Sequence, residues 1–162
     1  MDNKARVALV TGGTRGIGAA IARTLNNTGY VVVASYCGND AAAESFKDET
    51  GIPVYKFDVG DFDACQAALA AIEADVGPVD ILVNNAGITR DAVFHRMDPG
   101  DWRDVIRTNL DSLFNMSRVV IDGMRARGFG RIINITSING QKGQMGQANY
   151  SAAKAGMIGF TK

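Results

Sequence analysis

The sequence is short of the features that mark several classes of protein. Its 162 residues contain 17 Lys and Arg and 17 Asp and Glu, so the formal net charge is zero. A chain without excess charge has no overall field to attract nucleic acid or an anionic membrane, and we expect neither as a partner. Its two cysteines, Cys37 and Cys65, lack metal-ligand spacing and are too few for a disulfide scaffold. We therefore expect no metal site and interpret both cysteines as inert, partly buried thiols.

Long apolar runs and flexible linkers are also missing. No stretch is apolar for long enough to cross a bilayer, and the N-terminal residues lack the apolar core of a signal peptide. We therefore expect a cytoplasmic protein. No repeat or linker rich in Pro, Gly or Ser divides the chain, and its length and 46% hydrophobic content suit one packed core. Residues 1–162 are accordingly predicted to form a single NAD(P)-binding domain.

Two alternating patterns fill the chain instead. Short apolar segments rich in β-branched residues predict strands, buried on both faces, at 5–11, 31–35, 54–59, 79–84 and 132–137. Apolar residues at helical spacing predict helices at 17–27, 41–50, 64–76 and 101–127. Alternation of this kind predicts an α/β fold of the Rossmann type, a doubly wound parallel sheet with helices on both faces.

Local signals set the helix ends. Gly29, Gly51 and Gly77 fall just past three of the predicted helices, where a left-handed cap stops a helix, and Asp101 is our candidate cap for the fourth. A last helical pattern begins near residue 150 and continues to residue 162 without a stop. We therefore expect the chain to end inside a helix and the fold to lack its last strands.

The segment after the first predicted strand, residues 11–18, reads Thr-Gly-Gly-Thr-Arg-Gly-Ile-Gly. Glycines let the backbone approach a pyrophosphate, and the following helix offers unpaired N–H groups and a partial positive charge. A glycine-rich turn without a ligand is the alternative interpretation. The candidate cofactor-binding residues here are Gly12, Thr14, Arg15, Gly16, Ile17 and Gly18.

The second predicted strand ends without an acidic residue until Asp40. Sites for NAD place an acid there for the ribose hydroxyls, whereas the 2′-phosphate of NADP requires a cation. Arg15 is a candidate for that cation, or else a solvated loop charge, and we predict NADPH as the cofactor. The ends of the third and fourth strands add further candidates, which are Asp58, Val59, Asn85, Ala86 and Gly87. Asparagines at a strand end also satisfy loop backbone groups, and the two roles are compatible.

Near the C-terminus, Tyr150 and Lys154 are four residues apart and so share a helix face. A nearby ammonium favours ionisation of a phenol, which suits Tyr150 to exchange a proton with a carbonyl oxygen. Ser137 ends the preceding predicted strand and is placed to hydrogen-bond the same oxygen. Asn109 lies inside the long predicted helix and could support a proton relay to Lys154 through water. A surface Tyr–Lys pair is the alternative, but the strand-end serine and the glycine turn favour a catalytic group.

These motifs together resemble the short-chain dehydrogenase/reductase family, and they span the whole chain. The resemblance rests on the glycine turn, the Asn-Asn-Ala-Gly segment at 84–87, Asn109, Ser137 and the Tyr-x-x-x-Lys pair. It implies that Asn109, Ser137, Tyr150 and Lys154 form a catalytic tetrad with the tyrosine as acid and base. It also implies that Tyr150 and Lys154 contact the cofactor at the nicotinamide ribose and that Asp58 lies beside the adenine.

Finer similarity points to two subgroups. Residues 85–91 and 112–115 resemble both 3-oxoacyl-carrier-protein reductases and acetoacetyl-CoA reductases, whereas 121–124, 127–131 and 139–144 look more like the acetoacetyl-CoA reductases of polyhydroxybutyrate synthesis. This resemblance implies an acyl-CoA substrate, for which Asp91, Gln144, Gln147 and Tyr150 are our candidate contacts. For the glutamines, satisfaction of loop backbone is the alternative.

Two further interpretations stay open at this stage. A non-catalytic nucleotide-binding fragment is the alternative to an enzyme. The helix predicted at 101–127 has more apolar residues than one core face needs, among them Phe114 and Met116. By resemblance it would pair with a second copy in a homotetramer, whereas simple burial under the sheet is the other explanation.

Overall fold

The computed structural model describes residues 5–162. Five strands alternate with helices along the chain. The strands are β1 Val7–Val10, β2 Val31–Tyr36, β3 Val54–Lys56, β4 Val79–Asn84 and β5 Arg131–Asn134. The helices are α1 Gly16–Asn27, α2 Asp40–Thr50, α3 Phe62–Asp75, α4 Pro99–Ile106, α5 Ser112–Ala126, α6 Asn139–Lys142 and α7 Ala148–Thr161. A short 3₁₀ turn at Phe94–Arg96 precedes α4, and a π-helical turn at Arg107–Asp111 joins α4 to α5.

All five strands are parallel and lie in the order β3-β2-β1-β4-β5. The order reverses beside β1, whose Leu9 pairs with Val33 of β2 on one side and with Leu82 of β4 on the other. A reversal of this kind opens a crevice at the carboxyl ends of the strands, where ligands of such folds bind.

Alternate side chains of β1 face two separate apolar clusters. Val7 and Leu9 pack with residues of α3 and α5, whereas Ala8 and Val10 pack with residues of α1 and α2. Both faces of the central strands are therefore covered, as a parallel sheet requires. The predicted fold class, a doubly wound α/β sheet with helices on both faces, is confirmed.

The prediction of strands buried on both faces is wrong for β5. This strand is at the edge of the five-stranded sheet, and Ile133 is 47% exposed. The predicted third strand also ends earlier than expected, at Lys56 rather than at residue 59. Its partner β2 ends at Tyr36, which pairs with Lys56, so the ladder has no further strand residues to pair with.

The helix stops are confirmed, but one cap is wrong. Gly29, Gly51 and Gly77 follow their helices with φ of 92°, 69° and 133°, values that favour glycine. For α4, however, Asp98 and not Asp101 is the cap, since its Oδ1 accepts from the N–H of Gly100 at 2.6 Å. The helix begins at a proline, which is suited to a first helical position because it has no N–H to leave unpaired.

The helix predicted at 101–127 is interrupted. The π-helical turn at Arg107–Asp111 inserts between α4 and α5, and π turns often mark functional sites. It carries Asn109, the predicted tetrad residue. Within residues 5–162, no helix has both the length and the apolar character that crossing a membrane requires.

Candidate active site and cofactor cleft

A cleft of about 480 Å³ opens at the carboxyl ends of β1, β2 and β4. The structure brings to it every predicted cofactor residue of the glycine turn and of the third and fourth strand ends. These are Gly12, Thr14, Arg15, Gly16, Ile17, Gly18, Asp58, Val59, Asn85, Ala86 and Gly87. Tyr150 and Lys154, the other two predicted cofactor contacts, lie outside this lining on α7.

Steric crowding explains the glycines of the turn. A Cβ on Gly18 would lie 2.1 Å from the carbonyl oxygen of Gly12, so the start of α1 packs directly on the turn. Gly12 has a φ of 61° and Gly16 a φ of 54°, which other residues rarely adopt. At Gly16 a Cβ would meet nothing within 4 Å. The backbone there borders open space in the cleft.

The N-terminus of α1 is left available for a ligand. Helices α2, α3 and α4 each begin with a side chain that accepts from a backbone N–H, namely Asn39, Asp61 and Asp98. In the part of the chain that the structure describes, no side chain caps α1 in this way, and its first turn has no acid. Unpaired N–H groups with a partial positive charge fit a pyrophosphate.

The asparagine pair at the end of β4 has a structural role. Asn85 Nδ2 donates to the carbonyl oxygens of Thr11 and Gly12, at 3.0 and 3.2 Å. Thr11 Oγ1 in turn accepts from the N–H groups of Asn85 and Ala86, both at 3.0 Å. Asn84 Nδ2 donates to Asn134 Oδ1 of β5 at 2.9 Å. The bonds of Asn85 and Thr11 fix the glycine turn to the end of β4, whereas the bond of Asn84 joins β4 to β5. Asn85 still lines the cleft.

The end of β2 and the residues after it form one side of the cleft with five residues, Ser35, Tyr36, Cys37, Gly38 and Asn39. The next residue, Asp40, forms an ion pair with Lys56, whose Nζ lies 2.8 Å from Asp40 Oδ1. The hydrogen bond from Lys56 lowers the pKa of the Asp40 carboxyl. Arg15 is exposed on the cleft, and no ion pair engages it among the described residues.

We expected both cysteines to be partly buried, but one is buried and the other is exposed. Cys65 is buried, and its burial raises the pKa of its thiol to about 12, so it is inert as expected. Cys37 is exposed, and the expectation of burial is wrong for it. It follows the last buried residues of β2, where the chain leaves the sheet and borders the cleft.

On α7, the ammonium of Lys154 lies 5.6 Å from the centroid of the Tyr150 ring. Lys154 is only 4% exposed, and its Nζ donates to the carbonyl oxygen of Ile135 at 2.7 Å. Burial lowers the pKa of Lys154 from 10.5 to about 8. The side chain is therefore still mainly protonated at neutral pH, close to a half-buried phenol.

The segment that carries Ser137 is bound to the same lysine. Besides the bond to Ile135, Thr136 Oγ1 donates to the carbonyl oxygen of Lys154 at 3.0 Å. A Cβ on Gly140 would lie 2.6 Å from the carbonyl carbon of Lys154, so α6 packs closely on α7. Ser137 Oγ accepts from the N–H of Asn139 at 3.2 Å, which leaves its own hydroxyl hydrogen available to a ligand.

Asn109 is fully buried in the π-helical turn. Its Nδ2 donates to the carbonyl oxygens of Ile88 and Val105, both at 2.9 Å. Its Oδ1 has no hydrogen-bond partner within the described part of the chain. A Cβ on Gly87 would lie 2.5 Å from that oxygen, so only glycine fits beside it. Asn109 thus adjoins the Gly87 end of the cleft.

Of the predicted substrate contacts, the structure brings Asp91 and Gln147 together. Gln147 Nε2 donates to Asp91 Oδ2 at 2.9 Å, and Gln147 Oε1 accepts from Asn139 Nδ2 at 2.8 Å. Gln144 lies apart from this network, exposed, with its Oε1 accepting from Lys142 Nζ at 3.3 Å. The alternative of backbone satisfaction does not describe the Gln147 amide, because both of its ends bond to side chains.

Sequence reasoning missed part of the cleft lining. The omitted residues are Ser35, Tyr36, Cys37, Gly38, Asn39, Phe57, Ile88, Arg107 and Thr108. Those at the end of β2 follow from the topology, because the carboxyl ends of neighbouring parallel strands share one edge. Arg107 and Thr108 carry no such signal, since they lie within a predicted helix.

Comparison with known proteins finds matches over nearly the whole chain. A family model described as short chain dehydrogenase matches residues 6–162. Acetoacetyl-CoA reductase of Shinella zoogloeoides is 68% identical over 157 residues, covering 97% of this chain and 65% of the relative. Acetoacetyl-CoA reductase of Rhizobium meliloti (strain 1021) is 66% identical with the same coverage. The 3-oxoacyl-[acyl-carrier-protein] reductase FabG of Vibrio harveyi is 46% identical, covering 100% of this chain and 67% of the relative.

The chain thus spans about 65% of the length of the acetoacetyl-CoA reductases it matches. The residues that match the family model include the glycine turn, the asparagine pair and the helix that carries Tyr150 and Lys154. The chain belongs to the short-chain dehydrogenase family.

Proposed function

We propose that the protein containing this chain is an NADPH-dependent acetoacetyl-CoA reductase that forms 3-hydroxybutyryl-CoA, as in polyhydroxybutyrate synthesis. The single observation that supports this most is the buried Lys154 ammonium beside Tyr150, on a helix bound to the Ser137 segment. The uncapped start of α1 at the cleft fits the cofactor pyrophosphate. Gly12, Gly16 and Gly18 would let the backbone approach the same pyrophosphate, and the strand-end residues would hold the rest of the dinucleotide.

The residues around Tyr150 take defined roles in this reaction. When bound, the reduced nicotinamide supplies a hydride to the 3-keto carbon. Tyr150 donates its phenolic proton to the keto oxygen, and Ser137 donates a hydrogen bond to the same oxygen. The Lys154 ammonium stabilises the phenolate that remains on Tyr150. The Oδ1 of Asn109, which has no partner among residues 5–162, would accept a hydrogen bond from a water that carries the replacement proton.

The charges near the end of β2 favour NADPH over NADH. A 2′-phosphate requires a cation and is repelled by a free carboxylate. Asp40 is neutralised by Lys56, and the four preceding residues include no acid. Arg15 adjoins this part of the cleft without an ion-pair partner among residues 5–162. We therefore assign the 2′-phosphate to Arg15.

The choice of an acyl-CoA substrate rests on sequence similarity. The two relatives above that are named acetoacetyl-CoA reductase are 66–68% identical to the chain, against 46% for the carrier-protein reductase. The network of Asp91, Gln147 and Asn139 leads from Ser137 toward Tyr150 and would border the thioester. Gln144, which is exposed and lies apart from this network, would meet the acyl-CoA from the solvent side.

Oxidation of NADPH by the full-length protein tests the assignment when acetoacetyl-CoA and acetoacetyl-carrier protein are compared at equal concentration. We expect a higher kcat/KM for the CoA thioester. A higher value for the carrier-protein thioester would transfer the assignment to fatty-acid elongation. NADPH binding without turnover of either thioester would favour a non-catalytic nucleotide-binding protein.

We also propose that the full-length protein is a homotetramer in which α5 contacts a second copy. The apolar surplus of α5 supports this. Met116 and Val120 are buried under the sheet, whereas Phe114 is 56% exposed. Phe114 borders an open groove of about 380 Å³ between α5, β5 and α7, which Phe160 also lines. Exposed aromatic residues that line a groove are typical of association surfaces.

A further inference from the structure

Arg107 lines the cleft but has no role in the proposed reaction. It begins the π-helical turn, and its Nη1 donates to Asp58 Oδ2 at 2.8 Å. The side chain lies flat over the loop that follows β3, because a Cβ on Gly60 would lie 2.7 Å from Nη1 and 3.0 Å from Cζ of Arg107. Arg107 and Asp58 both line the cleft.

Both oxygens of the Asp58 carboxylate are held. Oδ1 accepts from the N–H of Gly60 at 2.8 Å, and Oδ2 accepts from Arg107. An ionised carboxylate has about four acceptor sites, so two such bonds fix its orientation and leave acceptor capacity free toward the cleft. Arg107 supplies one of these two restraints, and among residues 5–162 it is the only one that comes from another element of the fold.

The position of the pair in the cleft identifies the part of a dinucleotide that it would face. The glycine turn follows β1 in the middle of the sheet, and Gly87, which follows β4 on one side of it, adjoins Asn109. Asp58 follows β3 on the opposite side, and Arg107 reaches it from the π-helical turn. A dinucleotide with its pyrophosphate at the turn and its nicotinamide toward Gly87 therefore places its adenosine here.

We propose that Arg107 is a positioning residue that holds the Asp58 carboxylate as the acceptor for the 6-amino group of adenine. Arg107 thereby makes the cleft selective for adenine over a purine with a carbonyl oxygen at that position. A fixed carboxylate accepts from an amino group and repels a carbonyl oxygen, whereas a carboxylate that can rotate discriminates less. The inference rests on the proposed function, because it requires a dinucleotide cofactor in the cleft.

Arg107→Met is a suitable test because the pair contributes little to folding. The two side chains are 46% and 35% exposed, and ion pairs of that exposure typically add less than about 1 kcal/mol to stability. Arg103→Met is the matched control, since Arg103 is an exposed arginine one turn earlier on α4 that does not line the cleft. Arg107→Lys keeps a cationic donor at the same position.

The measurement is the Kd of the full-length protein for NADPH and for its hypoxanthine analogue, followed by the fluorescence of the reduced nicotinamide. We expect wild type to prefer NADPH, and Arg107→Met to reduce that preference about tenfold. Arg103→Met should keep the wild-type ratio, and Arg107→Lys should recover part of it. Asp58→Asn should remove the preference, with Arg107→Met adding no further loss to that variant.

If Arg107→Met weakens the binding of both nucleotides equally, so that the ratio of their Kd values is unchanged, the proposed role of Arg107 is overturned and the proposed function stays intact. Tighter NADPH binding by Arg107→Met would overturn it as well, since the arginine would then compete with the adenine for Asp58. Failure of wild type to bind either nucleotide would overturn the proposed function itself, and this inference with it.

Discussion

Lys154 is a cationic side chain held almost entirely out of solvent. Burial of an ammonium disfavours its charged form, which is why the pKa of Lys154 is lowered to about 8. Its Nζ keeps one protein acceptor, the carbonyl oxygen of Ile135. A lysine with a pKa close to the physiological range can both support a phenolate on Tyr150 and exchange a proton.

The pH dependence of reduction follows from this pKa. Because the pKa of Lys154 is lowered, its ammonium is present below about pH 8 and is lost as the pH rises through that value. We expect kcat/KM for acetoacetyl-CoA reduction to fall as the pH rises from 7 to 9. In Lys154→Arg, whose guanidinium stays charged throughout, any remaining activity should not fall near pH 8. The same decline in both proteins would show that Lys154 is not the titrating group.

Thr11 is a buried side chain that binds the start of the glycine turn to the segment after β4. Its Oγ1 accepts from two N–H groups, those of Asn85 and Ala86, in a site where Thr11 is 2% exposed. We expect Thr11→Val to lower the free energy of unfolding by about 3 kcal/mol, because both donors lose their partner. Thr11→Ser keeps the hydroxyl and should cost about 1 kcal/mol or less. Urea denaturation of both variants measures the difference, and equal stabilities would refute this account.

The sequence predicted which residues line the cleft better than it predicted the contacts of their neighbours. Eleven residues chosen as cofactor contacts line one cleft. The partners of Gln147 were not predictable, because its amide joins residue 91, in the loop after β4, to residue 139, at the start of α6. Contacts between distant loops depend on how complete elements pack, and no local pattern records them.

In the turn between β1 and α1, the backbone at the start of the helix packs directly against the backbone of the turn. Gly18 belongs to the first turn of α1 but lies against the carbonyl oxygen of Gly12. A side chain there would move the start of the helix away from the turn. The N–H groups that fit a pyrophosphate would then no longer face the cleft.

Gly18→Ala should therefore weaken NADPH binding by more than tenfold and also destabilise the fold. Gly159→Ala is the control, since Gly159 is also helical and a Cβ there meets nothing within 4 Å. We expect that substitution to keep NADPH affinity and to change stability by about 1 kcal/mol or less. Titration calorimetry and thermal unfolding of both variants provide the comparison. Wild-type affinity in Gly18→Ala would mean that the turn does not bind the cofactor.

The sequence predicted the positions of the helices better than their caps and interruptions. Apolar periodicity located α1, α2 and α3 to within two residues at their ends. The cap of α4 was misassigned because Asp98 and Asp101 are both acceptable cap residues, and only the position of Pro99 separates them. The π turn was not predicted. Inside it, Asn109 bonds to Ile88 and Val105, and the bond to Ile88 joins the turn to a distant segment that local periodicity does not record.

The parallel topology of the sheet was predictable because alternating strands and helices allow few other arrangements. The edge position of β5 agrees with the expectation that the fold lacks its last strands, whereas the apolar pattern of residues 132–137 by itself predicted a strand buried on both faces. Exposure of Ile133 on β5 and of Phe114 on α5 leaves apolar surface on this side of the sheet.

Association of copies of the protein through the apolar surface of β5 and α5 can be tested directly. We expect the full-length protein to sediment as a tetramer, and Phe114→Asp to weaken the association at least tenfold because it places a charge in an apolar contact. Phe94→Asp is the control, since Phe94 is 78% exposed but lies on the 3₁₀ turn before α4. Sedimentation velocity across a range of concentrations would show the shift. A monomer at all concentrations, or equal effects of the two substitutions, would refute this interface.

The most direct measurement is the rate of NADPH oxidation with acetoacetyl-CoA by wild type and by Tyr150→Phe, together with the Kd for NADPH. Loss of the proton donor should lower kcat by about 10²–10⁴-fold. The Kd should change little, since the phenyl ring keeps its place on α7 and the glycine turn is untouched. Substantial turnover by Tyr150→Phe would contradict the proposed role of this tyrosine and of the Lys154 ammonium beside it.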